Sequence, residues 1–188
     1  MVLSSRDPLP REPRRILVAG TSGSGKSTLA RRIAGAVGVP YEELDALRHG
    51  PDWQPRATFA LDVEALIAQP AWVTEWQYPE VRQRLAQRAD LLVWLDFPRA
   101  VVMSRVVRRT VARRLNRTEL WNGNVEAPLR TMFTDRDHII RWAWRTHATW
   151  RSMVADAEVR HPHLMVVRLG GPAQADDWIN GPLADMRR

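Results

Sequence analysis

Between residues 15 and 34 the chain runs through a short apolar stretch, a glycine-rich turn and a segment with apolar residues at helical spacing. The turn reads Gly-Thr-Ser-Gly-Ser-Gly-Lys-Ser from Gly20 to Ser27 and satisfies the pattern GxxxxGK[ST] at every constrained position. Such a loop works where a buried strand delivers the chain to a helix N-terminus, so it commits the fold to a strand, loop and helix unit in an α/β sheet. There the backbone N–H groups of Gly23 to Lys26 are expected to ring a phosphate, with the Lys26 ammonium beside it and the Ser27 hydroxyl offered to Mg²⁺. Gly20, Ser22, Gly23, Ser24, Gly25, Lys26, Ser27 and Thr28 are the candidate nucleotide-binding residues. Of 28 basic residues Lys26 is the single lysine, and a compact ammonium on a flexible stem is what an arginine fork cannot mimic.

The remaining pattern alternates strands and helices. Residues 38–45 read as a second strand ending in Asp45, 71–75 as a third ending in Glu75, 91–96 as a buried fourth ending in Asp96, and 164–169 as the last. Helical spacing recurs at 56–68, 79–88 and 101–117, and the chain is expected to be one doubly wound α/β domain over residues 15–188. Residues 1–14, with three prolines and mixed charge, read as a flexible leader.

The chain has no cysteine, which excludes disulfide scaffolds, thiolate metal sites and cysteine nucleophiles. No apolar run is long enough to span a bilayer and nothing resembles a signal peptide, so a cytoplasmic protein without a membrane partner is expected. A net charge of +7 raises nucleic acid as a partner, although a polyanionic nucleotide also needs several arginines. Arg105, Arg109 and Arg113 advance by four and line one face of a helix, with Arg108 and Arg117 flanking it. Their mutual repulsion is relieved if phosphate arrives.

Phosphoryl transfer needs a group to orient the attacking oxygen, and acids at strand ends beside the loop are the candidates. They are Asp45, Glu75 and Asp96. Of the nine tryptophans, Trp53 and Trp76 lie in loops where an acceptor could stack, while Trp94, Trp142, Trp144 and Trp150 read as packing residues. The histidines show no zinc-like spacing, and His161-Pro-His163 reads as a turn.

Leu44-Asp45-Ala-Leu, Trp53, Trp72-Val, Ala89-Asp90, Trp94-Leu-Asp96-Phe-Pro-Arg99, Arg105-Val-Val-Arg108-Arg109, Glu119-Leu-Trp-Asn-Gly-Asn124 and Ile140-Arg-Trp142-Ala-Trp144 together resemble a family. It is the adenylate-kinase-like group of small P-loop kinases, most nearly the bacterial topology-modulation or adenylate-kinase-related ATPases. The resemblance spans roughly residues 15–151. It implies a five-stranded parallel sheet of order 2-3-1-4-5, ATP with Mg²⁺ on the loop, and a small arginine-rich helical lid near residues 109–124. The stretch 170–173 would approach the adenine.

It further implies that Asp45 meets the acceptor as ligand or base, that Glu75 stands in the Mg²⁺ shell, and that Arg105, Arg109, Arg113 and Arg117 close over the phosphates. Asp96 follows a hydrophobic strand as a Walker-B-like metal acid does, although in the kinases it resembles the fourth-strand acid often supports structure at the loop. One departure stands out: this group has an acid, a glycine and an Asn-Tyr pair after the third strand, where this chain has Glu75-Trp76-Gln77-Tyr78. Trp76 is expected to close space beside the phosphates or to fill an acceptor pocket. The expected activity is ATP-dependent, nucleotide- or nucleoside-kinase-like transfer to a small-molecule acceptor by a monomer or small homo-oligomer. The alternative is a nucleic-acid-linked ATPase or an ATP-binding regulatory module.

Overall fold

The computed structural model describes residues 2–186. In chain order its elements are β1 (Val2–Leu3), β2 (Arg15–Ala19), α1 (Lys26–Val37), α2 (Leu44–Arg48), α3 (Phe59–Ile67), β3 (Trp72–Glu75), α4 (Pro79–Arg88), β4 (Leu91–Leu95), α5 (Arg99–Leu115), α6 (Ile139–Thr146), α7 (Thr149–Arg160), β5 (Met165–Leu169) and α8 (Pro172–Trp178). Every described strand pairing in the sheet is parallel, in the order β1-β5-β4-β2-β3.

Strand alternation sorts the core into two layers. Ile16, Val18, Val73, Leu91, Val93 and Leu95 point to the face covered by α1, α8 and the start of α5, where they meet Leu29, Ile33, Trp178 and Val102. Leu17, Ala19, Trp72, Leu92 and Trp94 point to the other face, against α3, α4 and α7. Strands covered on both sides carry near-continuous apolar runs, as β4 does with Leu91-Leu-Val-Trp-Leu95. Each fully buried aliphatic side chain contributes roughly 1.5–3 kcal/mol, so these layers supply the main driving force.

Two expectations are corrected. The order 2-3-1-4-5 fails because the expected second strand over residues 38–45 is reduced to one bridge, Tyr41 to Val73. Pro40 has no N–H to donate, the Thr74 hydroxyl takes the Glu42 carbonyl at 2.7 Å, and the Glu75 carboxylate takes the Leu44 N–H at 3.1 Å, which starts α2 instead. Nor is the described part of the leader free. Val2 and Leu3 pair with Val166 and Val167, and Leu3 and Leu9 are buried. This covers an apolar edge strand that would otherwise face water. Met1 lies outside the described residues.

β2 sits between β3 and β4, and the chain leaves its C-terminal end into α1 before crossing back over it through α4. This is the switch point of a doubly wound sheet, where crevices open beyond the strand ends.

Candidate active site around the phosphate loop

Gly25 precedes α1 in the left-handed region at φ 99°, and no side chain caps the helix. The first turn of α1 also lacks an acid, so its free N–H groups keep their affinity for an anion. Gly23, at φ 87°, lets the loop approach α5: a Cβ there would come within 2.8 Å of the Val106 Cβ and 3.1 Å of the Val102 carbonyl. Arg105 fixes the loop from outside, its Nη1 donating to the Ser24 carbonyl at 3.2 Å. The Ser24 hydroxyl is buried and has no partner among the described residues, which leaves a donor free inside the loop.

Two cavities flank this loop. The smaller, about 440 Å³, is lined by Ser24, Gly25, Thr28, Arg105, Phe97 and Pro172 among others. The larger, about 830 Å³, contains Gly20, Ser22, Gly23, Gly25, Lys26, Ser27 and Thr28 in its wall together with Asp45, Gln77, Tyr78, Arg109 and Arg113. Burial pulls the Lys26 ammonium below its ordinary pKa, against the opposing pull of Asp45 and Glu75, and Arg109 lowers it further. A desolvated cation beside a second cation and free helix N–H groups has the chemistry to take an anion.

Asp45 lies on α2 rather than at a strand end. Its Oδ1 accepts from Gln77 Nε2 and from the Tyr78 hydroxyl, each at 2.6 Å. No described donor reaches Oδ2, so one oxygen is held and the other is left for a ligand. Tyr78 also meets His49 Nε2 at 3.0 Å. Because the tyrosine proton goes to Asp45, its oxygen accepts from a protonated Nε2 and the His49 tautomer is set. Tyr78 adopts φ 61° just before α4, an uncommon backbone for a tyrosine, and its position serves this contact.

Glu75 is 1% exposed and accepts from the Tyr41 hydroxyl at 2.6 Å and the Leu44 N–H at 3.1 Å. Burial raises its pKa, opposed by hydrogen bonds from Tyr41, Leu44 and the Ser27 hydroxyl. Glu75 lines neither cavity and both its oxygens are engaged, so of the expected metal residues it is the Ser27 hydroxyl, a hard oxygen donor in the larger cavity's wall, that fits an ion such as Mg²⁺.

Other expected residues fall elsewhere. Asp96 shares a face with Trp94 and ion-pairs with Arg168 at 2.6 Å and Arg151 at 3.6 Å. It lines neither cavity, because the alternation that aims Leu95 at the loop turns Asp96 to the opposite face. Arg117 is likewise removed: α5 ends at Leu115, and Arg117 is exposed at φ 46° with no place in either wall. Arg105, Arg109 and Arg113 do flank the loop, with Arg113 paired to Glu126 at 3.3 Å.

Trp76 packs beneath the site. Its Nε1 donates to the Arg82 carbonyl at 2.9 Å and its ring lies 6.2 Å from that of Trp150, so it neither abuts the loop nor lines the larger cavity. Trp142 and Trp144, expected as core, are 45% and 55% exposed, stacked under Arg145 and Arg99.

Residues 119–126 close one side of the larger cavity. The buried Asn124 accepts from the Trp53 N–H at 2.8 Å and donates to the Gly50 carbonyl at 2.8 Å, Asn122 donates to the His49 carbonyl, and Trp53 Nε1 reaches the Val125 carbonyl at 3.2 Å. His49, Trp53 and Trp121 form an aromatic cluster there, with centroids 5.1 to 6.2 Å apart. Gln77, His49, Asn124 and Arg82 were not legible as site residues. Only the Gln77-Tyr78 pair gave a signal, by sitting directly after a strand-end acid.

Among solved structures, the chain is similar to a gluconokinase from Sinorhizobium meliloti 1021, at 21% identity over 95% of this chain and 94% of that one, with a TM-score of 0.50. It is also similar to the shikimate kinase of Acinetobacter baumannii in complex with shikimate, at 17% identity over 93% of each chain, again with a TM-score of 0.50. The chain shares the α/β fold of these two structures. No family model matches the sequence, and no curated protein matches it. At such identities the likeness speaks to architecture, and the activity must be argued from the site. Among the described residues no helix is long and apolar enough to cross a membrane.

Proposed function

We propose that this protein is an ATP-dependent phosphotransferase that moves the γ-phosphate to a small-molecule acceptor seated in the larger cavity. The observation that carries the reading is that Lys26 and Asp45 face the same cavity, with one Asp45 oxygen fixed by Gln77 and Tyr78 and the other unengaged. The first turn of α1 and Lys26 bind the donor phosphates, and the smaller cavity, where Pro172 follows β5, takes the nucleoside end. Arg105, Arg109 and Arg113 offset charge on the transferring group.

Ser27 would hold Mg²⁺, with Glu75 orienting its hydroxyl from behind. The ion's contribution when bound is to offset phosphate charge. Asp45 Oδ2 accepts a hydrogen bond from the acceptor hydroxyl and takes its proton as the oxygen attacks, while Tyr78 and Gln77 hold the carboxylate in place. Closure of residues 109–124 over the cavity, as a lid, keeps water out of the transfer. The sequence resemblance supports a place beside the adenylate-kinase-related P-loop proteins and makes nucleosides and nucleotides the first acceptors to try. A cytoplasmic monomer or small homo-oligomer accords with that resemblance.

The test is ATP consumption over a panel of nucleosides, nucleoside monophosphates, sugars and sugar acids. Lys26→Ala is expected to reduce turnover roughly a hundred- to a thousandfold. Asp45→Asn is expected to reduce transfer roughly a hundredfold or more while ATP still binds. Wild-type turnover in Lys26→Ala would falsify the reading.

One observation favours a second reading. Residues 99–151 carry twelve arginines and only four acids, a net charge of +8 where the whole chain has +7. A nucleic-acid-linked ATPase would use it as a basic face, and turnover would then rise with single-stranded DNA and fall steeply with salt.

A further inference from the structure

Arg82 projects from the second turn of α4 into the wall of the larger cavity, one turn beyond the Gln77-Tyr78 pair that holds Asp45. Its guanidinium carbon lies 5.5 Å from the Trp76 ring centroid and 5.6 Å from that of Trp150, so two indoles hold the cation in place. Its hydrogen bonding is poor. Among the described residues its side chain meets one acceptor, the Met153 thioether at 2.9 Å from Nη1, and its buried Nε has none.

A guanidinium carries five donors, and sulfur is a weak acceptor. No described carboxylate ion-pairs with it. Glu80, on the same helix, is engaged by Arg48 at 3.2 Å. Of the other arginines in this wall, Arg113 pairs with Glu126. Arg109, whose buried Nε is likewise unpartnered among the described residues, lowers the Lys26 pKa and so acts on the loop end of the cavity, away from the Trp76 and Trp150 rings that hold Arg82.

A half-buried cation without a counter-charge costs stability. It persists where a ligand supplies the missing anion. We propose that Arg82 is the anion subsite of the acceptor, which is an alcohol bearing a carboxylate or a phosphomonoester at its far end. The hydroxyl lies at Asp45, the anionic group forks onto Arg82, and the Trp150 face and Met153 pack the carbon frame between them. The Asp45 carboxylate repels an anionic attacking group, so the reacting oxygen is a hydroxyl and the charge belongs at the other end. This rests on the kinase reading above and narrows its acceptor.

The experiment pairs alditols with the aldonic acids and the alditol monophosphates of the same chain length, and nucleosides with their monophosphates. ATP consumption is followed in wild type, Arg82→Gln and Arg82→Lys, with Lys26→Ala as blank. Wild type is expected to turn over anionic members and not their neutral partners, and the preferred member of each pair tells carboxylate from phosphate.

Arg82→Gln is expected to raise KM for the anionic acceptor roughly ten- to a hundredfold with ATP affinity unchanged, and Arg82→Lys to recover part of it. Thermal unfolding separates this from a structural role. Relieved of an unpaired cation, Arg82→Gln is expected to keep or gain Tm, whereas a cation serving only to pack Trp76 and Trp150 would lower it. Equal turnover of neutral partners leaves the kinase reading standing and overturns the subsite. So does an unchanged KM in Arg82→Gln. No turnover of any member, with ATP bound, overturns both.

Discussion

The smaller cavity is walled by residues that directly follow the glycine-rich loop, β4 or β5, among them Thr28, Phe97 and Pro172, with Arg105 leaning in from α5. The larger one draws Asp45 from α2, Gln77 and Tyr78 from the β3 exit, Arg82 from α4, Trp121 from a loop and Trp150 from α7. Both open on the same loop, yet the smaller is built from strand exits and the helix starts beside them, and the larger from helices and loops on the other face of the sheet. In the larger cavity Arg82 and Trp150 stand in the wall, and Trp76 packs behind them with its ring against Arg82 and Trp150.

Substitutions that distinguish the two sides test this division. The largest effect is expected from Gly23→Ala, which forces a side chain into the left-handed region and against Val106. It should cost roughly 2–4 kcal/mol in chemical denaturation and abolish measurable ATP binding, since the loop serves both cavities. Retained ATP affinity would mean that the loop relaxes independently of α5.

Tyr78→Phe comes next. Losing the donor to Asp45 should lower kcat for transfer roughly tenfold and leave ATP affinity untouched, so an equal loss of both would erase the proposed division.

The smallest effect concerns His49. Burial holds its imidazole below its ordinary pKa, opposed by Asp45 and the Trp53 backbone and reinforced by Arg48. Because the folded form resists protonation, His49 contributes stability above the unfolded value of about 6.5 and loses it as pH falls through the lower folded value. Tm should therefore decline on acidification below about pH 6.5, and His49→Gln should flatten that part of the profile. Tyr78 and Trp121 face the same ring, and an unchanged profile would show that the imidazole does not titrate there.

Asp45 and Asp96 show how far strand-end reasoning carries. Both were legible as acids near the loop. Asp45 reached the cavity although its strand dissolved into a helix, because Glu75 captured the Leu44 N–H and turned the chain. Asp96 missed it although its strand formed as expected, because one residue of alternation sends its side chain toward Arg168. The arginine series behaved similarly, three members staying on the helical face and the fourth leaving when α5 ended.

The amino-acid sequence by itself determined the loop, the helix that follows it, the alternating α/β layers and the facing of Arg105, Arg109 and Arg113. All of these depend on contacts within a few residues and on apolar periods of two or 3.6. Tertiary structure alone decided the edge pairing of Val2 and Leu3, the held oxygen of Asp45, the His49 tautomer and the isolation of Arg82 between two indoles. Apart from the Arg82–Trp76 contact, six positions apart, these depend on which side chains meet across more than 25 positions of chain, as with Asp45 and Tyr78, 33 positions apart. Local spacing carries no record of such meetings.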